Sequence, residues 1–555
     1  MARQYGDSAR SPRQRLVRLF LLSCLLSSSL AVGVAPATSA APANPPAVAP
    51  QATNTTGAVL SVYPDPERGG DAGEYVVVRL PEPGNWTLSD GESTVPLRNY
   101  SGRVVVGSEL ELLRDRFPNT SVVAAPLSLS NAGETLVLRR DGELVQRVRY
   151  GDSTEAHRYV PKTGEWRARG FTPREAVTTG PANATGFLLP DSPTLALETL
   201  RGAEERILLA GYTFASERVA TALAAAAKRG ITVRVLVEAE PVGGISRRQA
   251  RLLDRLVAAG VAVRVVGIGT SRYAFHHPKY AVVDDRALVL TENWKPSGTG
   301  GRSNRGWGVL VDDRTTAAEL VDIFVHDVDA PDTQKWSAFR RGRTFERIPS
   351  ANGSYPSEHA PKQFQARNVT VLTAPGNAES AIVDYIDGAD ERIDILQPTL
   401  GREGNALVEA TLRAARRGVE VRILLSGAWY VAEENAALVS WLEGWAERND
   451  APLSVRLAEP GGRYEKIHAK GLLVDDEVAV VGSLNWNRDS ARENREVALA
   501  LHGPEPVAYY RGSFEEDWAG GGRNRTWLYA AGAGAAVVVA GFVAVRTVSF
   551  ADEAR

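Results

Sequence analysis

The sequence predicts an α/β protein built on a duplication, with a small all-β domain before it and an apolar helix after it. Three observations carry that reading. Segments recur in order: ERILLAGYTF (205–214) matches ERIDILQPTL (391–400), AAAAKRGITVRVLV (224–237) matches RAARRGVEVRILL (413–425), and FHHPKYAVVDDRALVLTENW (275–294) matches IHAKGLLVDDEVAVVGSLNW (467–486). Each copy alternates apolar β runs with Ala-rich stretches ended by Gly, the pattern of α/β units. Residues 57–152 instead break into short β-branched runs with turns such as GGDAG and RRDG between them, which suggests a small antiparallel sandwich.

Taken in order, residues 1–40 read as a secretory signal: several Arg, then LFLLSCLLSSSLAVGV, then a small-residue stretch ending near Ala40. Residues 41–56 are a Pro/Ala/Thr linker. The β domain spans 57–152, the first repeat 186–346, a polar Pro-bearing linker 347–367 and the second repeat 368–520. At 527–545, WLYAAGAGAAVVVAGFVAV carries no charge and is long enough to span a bilayer, with Trp527 and Tyr529 suited to its interface. Signal and anchor together place 41–526 on the extracytoplasmic side of a membrane. Eight N-x-S/T sites fit an exported chain.

A net charge of −2 excludes a global field that would recruit nucleic acid or anionic lipid. Cys24 is the only cysteine and lies in the signal, so the remainder can form neither an internal disulfide nor a thiolate metal site. No cofactor or metal is expected.

The chemistry concentrates in the third repeated segment. GLLV and VAVV read as two strands of a hairpin turning near Asp475. That hairpin brings His468 level with Ser483 or Asn485. His468 and Lys470 point to one face, because side chains at i and i+2 share it. An imidazole, an ammonium, a hydroxyl and an amide on one face suit a phosphate. Asp475 falls at the far end of the hairpin, about 20 Å away at ~3.3 Å per residue, and reads as a turn residue. Residues 277–294 repeat the spacing through His277, Lys279, Asp284 and Asn293; the adjacent His276 lacks the x-Lys register.

Two H-x-K-x₄-D motifs, each followed by Asn-Trp, make the region 186–520 resemble the phospholipase D superfamily. The resemblance implies two pseudo-twofold-related α/β halves whose motifs face each other across one cleft. It implies that one His attacks phosphorus while the other protonates the leaving group, and that Lys and Asn side chains hold the phosphate oxygens, with no metal. Its site residues map to His277, Lys279, Asp284 and Asn293 in the first half. In the second they map to His468, Lys470, Asp475, Ser483, Asn485 and Glu496, with Gly482 and Asn494 beside them. Glu496 is expected to orient His468. The first motif departs from the pattern: Thr291 and Glu292 replace Gly-Ser with one residue missing before Asn293, and Gly306 stands where the second half has Glu496. Either Glu292 or Asp312 is then left to orient His277. The order of motifs assigns His277 as nucleophile and His468 as acid.

Within the β domain, DAGEYVVVRL and NWTLSDGE resemble the lamin-tail domain. That implies an immunoglobulin-like fold and an accessory module with a partner of its own. Asp71, Glu74 and Asp90 read as turn and surface residues. For the substrate, a membrane-anchored site favours phospholipids, hydrolysed or transferred. The alternatives are an extracellular nuclease, with Arg247, Arg248, Arg251 and Arg255 lining a strand-binding groove, and a catalytically impaired surface protein.

Overall fold

The computed structural model describes residues 57–66, 72–117, 120–170, 174–268, 271–402 and 404–520. The expected signal, the 41–56 linker and the 527–545 span lie outside the described residues. No helix among the described residues is long and apolar enough to cross a membrane. The chain divides into two compact units, Met1–Trp166 and Arg167–Arg555.

In the first unit, a six-stranded and a four-stranded sheet enclose one core. Val62, Val76, Val78, Val104 and Val106 from one sheet face Trp86, Leu88, Leu136 and Leu138 from the other. These residues alternate along their strands, which is why the short β-branched runs form half-buried strands. The expectation of a purely antiparallel sandwich fails in one place. Gly102–Gly107 and Ser121–Ala124 pair in parallel, which requires a crossover, and the helix Leu110–Arg116 lies in that connection. The six-stranded sheet also runs past residue 152, adding the strands His157–Val160 and Glu165–Ala168. Asp90 is a turn residue, its carboxylate accepting from the Glu92 and Ser93 amides, but it is buried rather than on the surface. Glu74 is not on the surface: it is buried and accepts the Leu129 amide at 2.8 Å.

The second unit holds the duplication. In each half, three parallel strands continue into an antiparallel run on the same sheet. The first half has Arg206–Gly211, Thr232–Glu238 and Ala262–Val266, then Tyr280–Val283, Arg286–Leu290, Asn304–Asp312 and Ala182–Leu189. The second half repeats the order with Arg392–Gln397, Glu420–Leu425 and Leu453–Leu457, then Gly471–Val474, Val478–Gly482, Glu496–His502 and Asn368–Ala374. Helices Glu217–Lys228 and Ala406–Arg416 start at side-chain caps, Ser216 and Asn405, and stop before Gly230 and Gly418 at φ +91° and +96°.

One face of each sheet is covered by its own helices. The opposite faces meet in a shared core where Trp307, Leu208 and Val309 join Leu396, Leu473 and Leu499. Gly471 is part of what permits this approach. A Cβ there would lie 2.2 Å from the Trp307 ring, so only glycine fits.

The segments before each half are exchanged. Val177–Thr179 precedes the first half but pairs with Asn368–Ala374 of the second. Lys362–Ala366, inside the stretch expected to be a 347–367 linker, pairs with Ala182–Leu189 of the first. Each half thereby covers an open edge of the other's sheet.

Candidate active site

The two H-x-K segments do not pack against their own half alone. Asn304 and Arg305 pair in parallel with Lys466 and Ile467, and the His468 amide donates to the Arg305 carbonyl at 3.0 Å. Reciprocally, His276 bridges to Arg495, and the His277 amide donates to the Arg495 carbonyl at 2.9 Å. Each H-x-K segment is therefore held by the other half, at the start of Asn304–Asp312 or just before Glu496–His502. Beneath that exchange lie two buried Arg–Asp pairs that also cross between halves. Arg305 reaches Asp517 at 2.9 Å, and Arg495 reaches Asp327 at 2.9 Å. The guanidinium carbons sit 4.6 Å over the rings of Tyr464 and Tyr273 respectively.

The carboxylates cross over as well. Glu496, expected to orient His468, instead faces His277, whose Nδ1 lies 2.8 and 2.9 Å from its two oxygens. His468 Nδ1 takes Glu292 of the first half, at 3.1 Å. Neither half supplies the carboxylate for its own histidine. Asp312 does not orient His277: it sits at the end of its strand, where the ladder pairs it with Asn183.

Strand register also places the residue missing before Asn293. Leu290 pairs with Gly308 and the Thr291 amide donates to Trp307; Gly482 pairs with Ala498 and the Ser483 amide donates to Val497. The hydroxyls of Thr291 and Ser483 accept the amides of Trp307 and Val497 at 2.9 and 3.1 Å. Thr291 is thus the counterpart of Ser483, Glu292 of Leu484 and Gly306 of Glu496; the one residue the first half lacks before Asn293 is lost in the hairpin turn, two residues between Val283 and Arg286 against three between Val474 and Val478. One half carries Glu and Gly at two neighbouring sites, the other Leu and Glu. The space explains the trade. A Cβ on Gly306 would lie 2.2 Å from Glu292 Cγ, so Glu292 fills the volume that a side chain at 306 would need. Its carboxylate is held by Asn304 at 2.9 Å, as Glu496 is held by Asn494 at 3.3 Å and by the Ser483 hydroxyl.

Both lysines turn inward. Lys279 is fully buried, its Nζ donating to the His277 carbonyl; Lys470 donates to the His468 carbonyl at 2.5 Å and lies 3.1 Å from His468 Nδ1. Burial pushes Lys470 down to about 8 and Lys279 well below the usual lysine range. Burial also lowers both histidines to about 4, against the upward pull of Glu496 on His277 and of Glu292 on His468. Lys470 acts on His277 and Lys279 on His468, so the four groups share one electrostatic site. Asn293, next to Glu292 in the chain, is buried.

Residues 196–328 and 382–518 match the family described as "Cardiolipin synthase, PLD-like domain". The two repeats are phospholipase D superfamily domains. Cardiolipin synthase B of Salmonella typhimurium is 26% identical over 342 residues, covering 55% of this chain and 72% of that protein. Phospholipase D Z of Dictyostelium discoideum is 24% identical over 345 residues, covering 54% and 74%. The crystal structure of phosphatidylserine synthase from Haemophilus influenzae Rd KW20 aligns with a TM-score of 0.46 at 16% identity, over 60% of this chain and 86% of that one. The phospholipase D-like unit is of phosphoric diester hydrolase type.

Not every motif residue of this unit is at the site. Asp284 and Asp475 sit at φ +55° and +44° in the hairpin turns. Asp284 accepts the amides of Glu204, Glu205 and Arg206, and Asp475 those of Asp390, Glu391 and Arg392. They tie each turn to the start of the neighbouring parallel strand and are structural. Trp294 and Trp486 are core residues. The arginine face is engaged locally: Arg251 and Arg255 pair with Glu217, Arg248 donates to the Ala215 carbonyl and Arg247 to that of Phe345. Sequence reasoning missed Lys295, whose ammonium feels Glu292 and Lys466. It also missed the roles of Arg305, Arg495, Asp327 and Asp517, although the repeats SNRGW/ENREV and FVHDV/FEEDW carried them.

Proposed function

We propose that this chain cleaves or exchanges phospholipid phosphodiesters through a phosphohistidine, on the extracytoplasmic face of a membrane to which residues 527–545 anchor it. The observation that carries the chemistry is the pair of imidazoles in one site, each fixed at Nδ1 by a carboxylate from the opposite half. The named relatives act on phospholipids, which favours that substrate class over nucleic acid.

The two Nδ1 environments support unequal roles. Only carboxylate oxygens face His277 Nδ1, and these only accept, so Nδ1 keeps the hydrogen and Nε2 presents a lone pair. His468 Nδ1 has both an acceptor, Glu292, and a donor, Lys470. When Glu292 holds an imidazolium, Nε2 carries a proton that the ring can release; when Lys470 donates to a neutral ring, Lys470 passes its proton to Nδ1 as Nε2 releases its own, so no imidazolate forms. His277 Nε2 then attacks phosphorus and the bond to the leaving alcohol oxygen breaks, that oxygen taking the His468 proton. In the second step water or an acceptor alcohol attacks the phosphohistidine and gives its proton to His468, releasing phosphomonoester or a new diester. Lys279, Lys470, Asn293 and Asn485 stabilise the charge on the phosphoryl oxygens.

The test offers the full chain phospholipid vesicles or labelled single-stranded DNA, with and without EDTA, and maps the trapped phosphoryl group after rapid quenching. Turnover of lipid that survives EDTA, with label on His277, is expected. Turnover of DNA alone would overturn the substrate; label on His468 would reverse the roles.

A further inference from the structure

The described surface carries few exposed large apolar side chains, and the two most exposed, Trp429 and Val242, flank the site, with Tyr430 beside Trp429. Trp429 is 89% exposed and Tyr430 46%; Val242 is 66% exposed. They occupy corresponding loops, after the second parallel strand of each half, Glu420–Leu425 and Thr232–Glu238.

Each loop is coupled to a catalytic group. The Val242 amide donates to the Tyr212 hydroxyl at 2.6 Å, and the Tyr212 ring packs edge-on to His277 at 4.7 Å. Across the site, Lys466 lies two residues before His468, and its Nζ sits 4.9 Å from the Tyr430 ring. Glu292, the carboxylate of His468, is close enough to act on the Tyr430 hydroxyl. Trp429 stands edge-on to Tyr430 at 5.8 Å.

From this placement we propose that the Trp429–Tyr430 and Val242 loops form a two-sided lip that docks the active site onto a phospholipid bilayer. Rings with one apolar body and one polar edge favour the headgroup boundary, where Trp and Tyr concentrate. Large apolar rings exposed side by side mark an interaction site. Lys466, behind Tyr430, supplies the cation that an anionic phosphate meets on its way to His468. A lone phosphate would need the cation but not the exposed rings. The inference rests on the reading that the substrate is a phospholipid and adds how that substrate is reached.

The test compares the full chain with a Trp429→Ser/Tyr430→Ser variant and with Val242→Ser. Turnover of vesicle phospholipid is divided by turnover of the same headgroup on a short-chain monomeric diester. The ratio is expected to fall at least tenfold in the double variant and less in Val242→Ser. An unchanged ratio, or equal loss on both substrates, overturns the lip. A second readout is the share of fluorescence quenching by brominated lipids that a Trp429→Phe variant loses. Quenching at Trp429 in a protein that turns over no phospholipid would keep the lip and sink the substrate reading; absence of both sinks both. A loss of single-stranded DNA binding in the double variant, with vesicle quenching intact in the Trp429→Phe comparison, would reassign the rings to base stacking.

Discussion

The two halves of the phospholipase D-like unit reach the same local chemistry by different residues. His277 and His468 occupy matching segments, and each binds a carboxylate from the opposite half. Yet Glu496 projects from a position where the other half has Gly306, and Glu292 from a position where the other half has Leu484. The role belongs to a place in space rather than to a place in the motif. What reads as decay in the sequence is a carboxylate moved one strand over, with the glycine making room for it.

The largest effect should come from disturbing that trade. Glu292→Leu leaves His468 without its orienting partner and should lower kcat on the order of 10²–10⁴-fold, the range of a positioned acid–base group. Adding Gly306→Glu rebuilds the arrangement of the other half in the vacated space. The double variant should recover at least tenfold over Glu292→Leu. Recovery should appear in kcat and in the acidic limb of the pH profile, which a merely structural repair would not restore. A double variant no better than the single one would show that the two positions are not interchangeable.

The sequence made the hairpin, its facing polar groups and the duplication readable, because strand periodicity and short turns are local. The His–carboxylate pairing was not readable, since each pair joins residues some 200 positions apart across two sheets (|i−j| 219 and 176). Nothing within one hairpin decides which half supplies the partner. Matching Thr291 and Glu292 to Gly-Ser left the missing residue next to Asn293, whereas it lies in the hairpin turn. Only the ladder shows that Thr291 takes the place of Ser483. The exchanged edge strands escaped for a related reason: Lys362–Ala366 is polar on its exposed side and lies in a Pro-bearing stretch, so its burial at Phe364 and Ala366 did not stand out.

The next comparison is between the two buried ion pairs. Burial would raise Asp327, but Arg495, then His276 and Arg272, hold its carboxyl far below the usual range. At Asp517 burial outweighs Arg305 and Arg463 and the carboxyl is raised. Asp327→Ala strands a buried guanidinium and should cost about 3–5 kcal/mol. Asp517→Ala should cost less, and Asp327→Leu combined with Arg495→Met should regain much of the loss. Urea unfolding of the full chain measures all of these. Equal costs at the two aspartates would remove the asymmetry.

The smallest effect separates the two histidines from their carboxylates by pH. Burial lowers both imidazoles to about 4, whereas an unfolded His titrates near 6.5. Between those values the unfolded chain binds protons that the native chain does not, so stability rises with pH. The contribution is complete above about pH 6.5 and is lost as pH falls toward 4, at most about 1.4 kcal/mol per pH unit for each imidazole. Glu496 and Glu292 are themselves held below the usual range; burial pushes them up, but His277 and His468 outweigh it. Their share is lost only as pH falls below about 4.5, so the two sets of groups act in separate windows. Replacing His277 or His468 by Gln should therefore flatten the stability curve between pH 6.5 and 4.5. His277 has an 11% exposed side chain and His468 a 21% exposed one, so the flattening should be greater for His277→Gln. A slope unchanged by either substitution would mean that both imidazoles titrate as they do in the unfolded chain, and that water reaches the site more freely than its packing indicates.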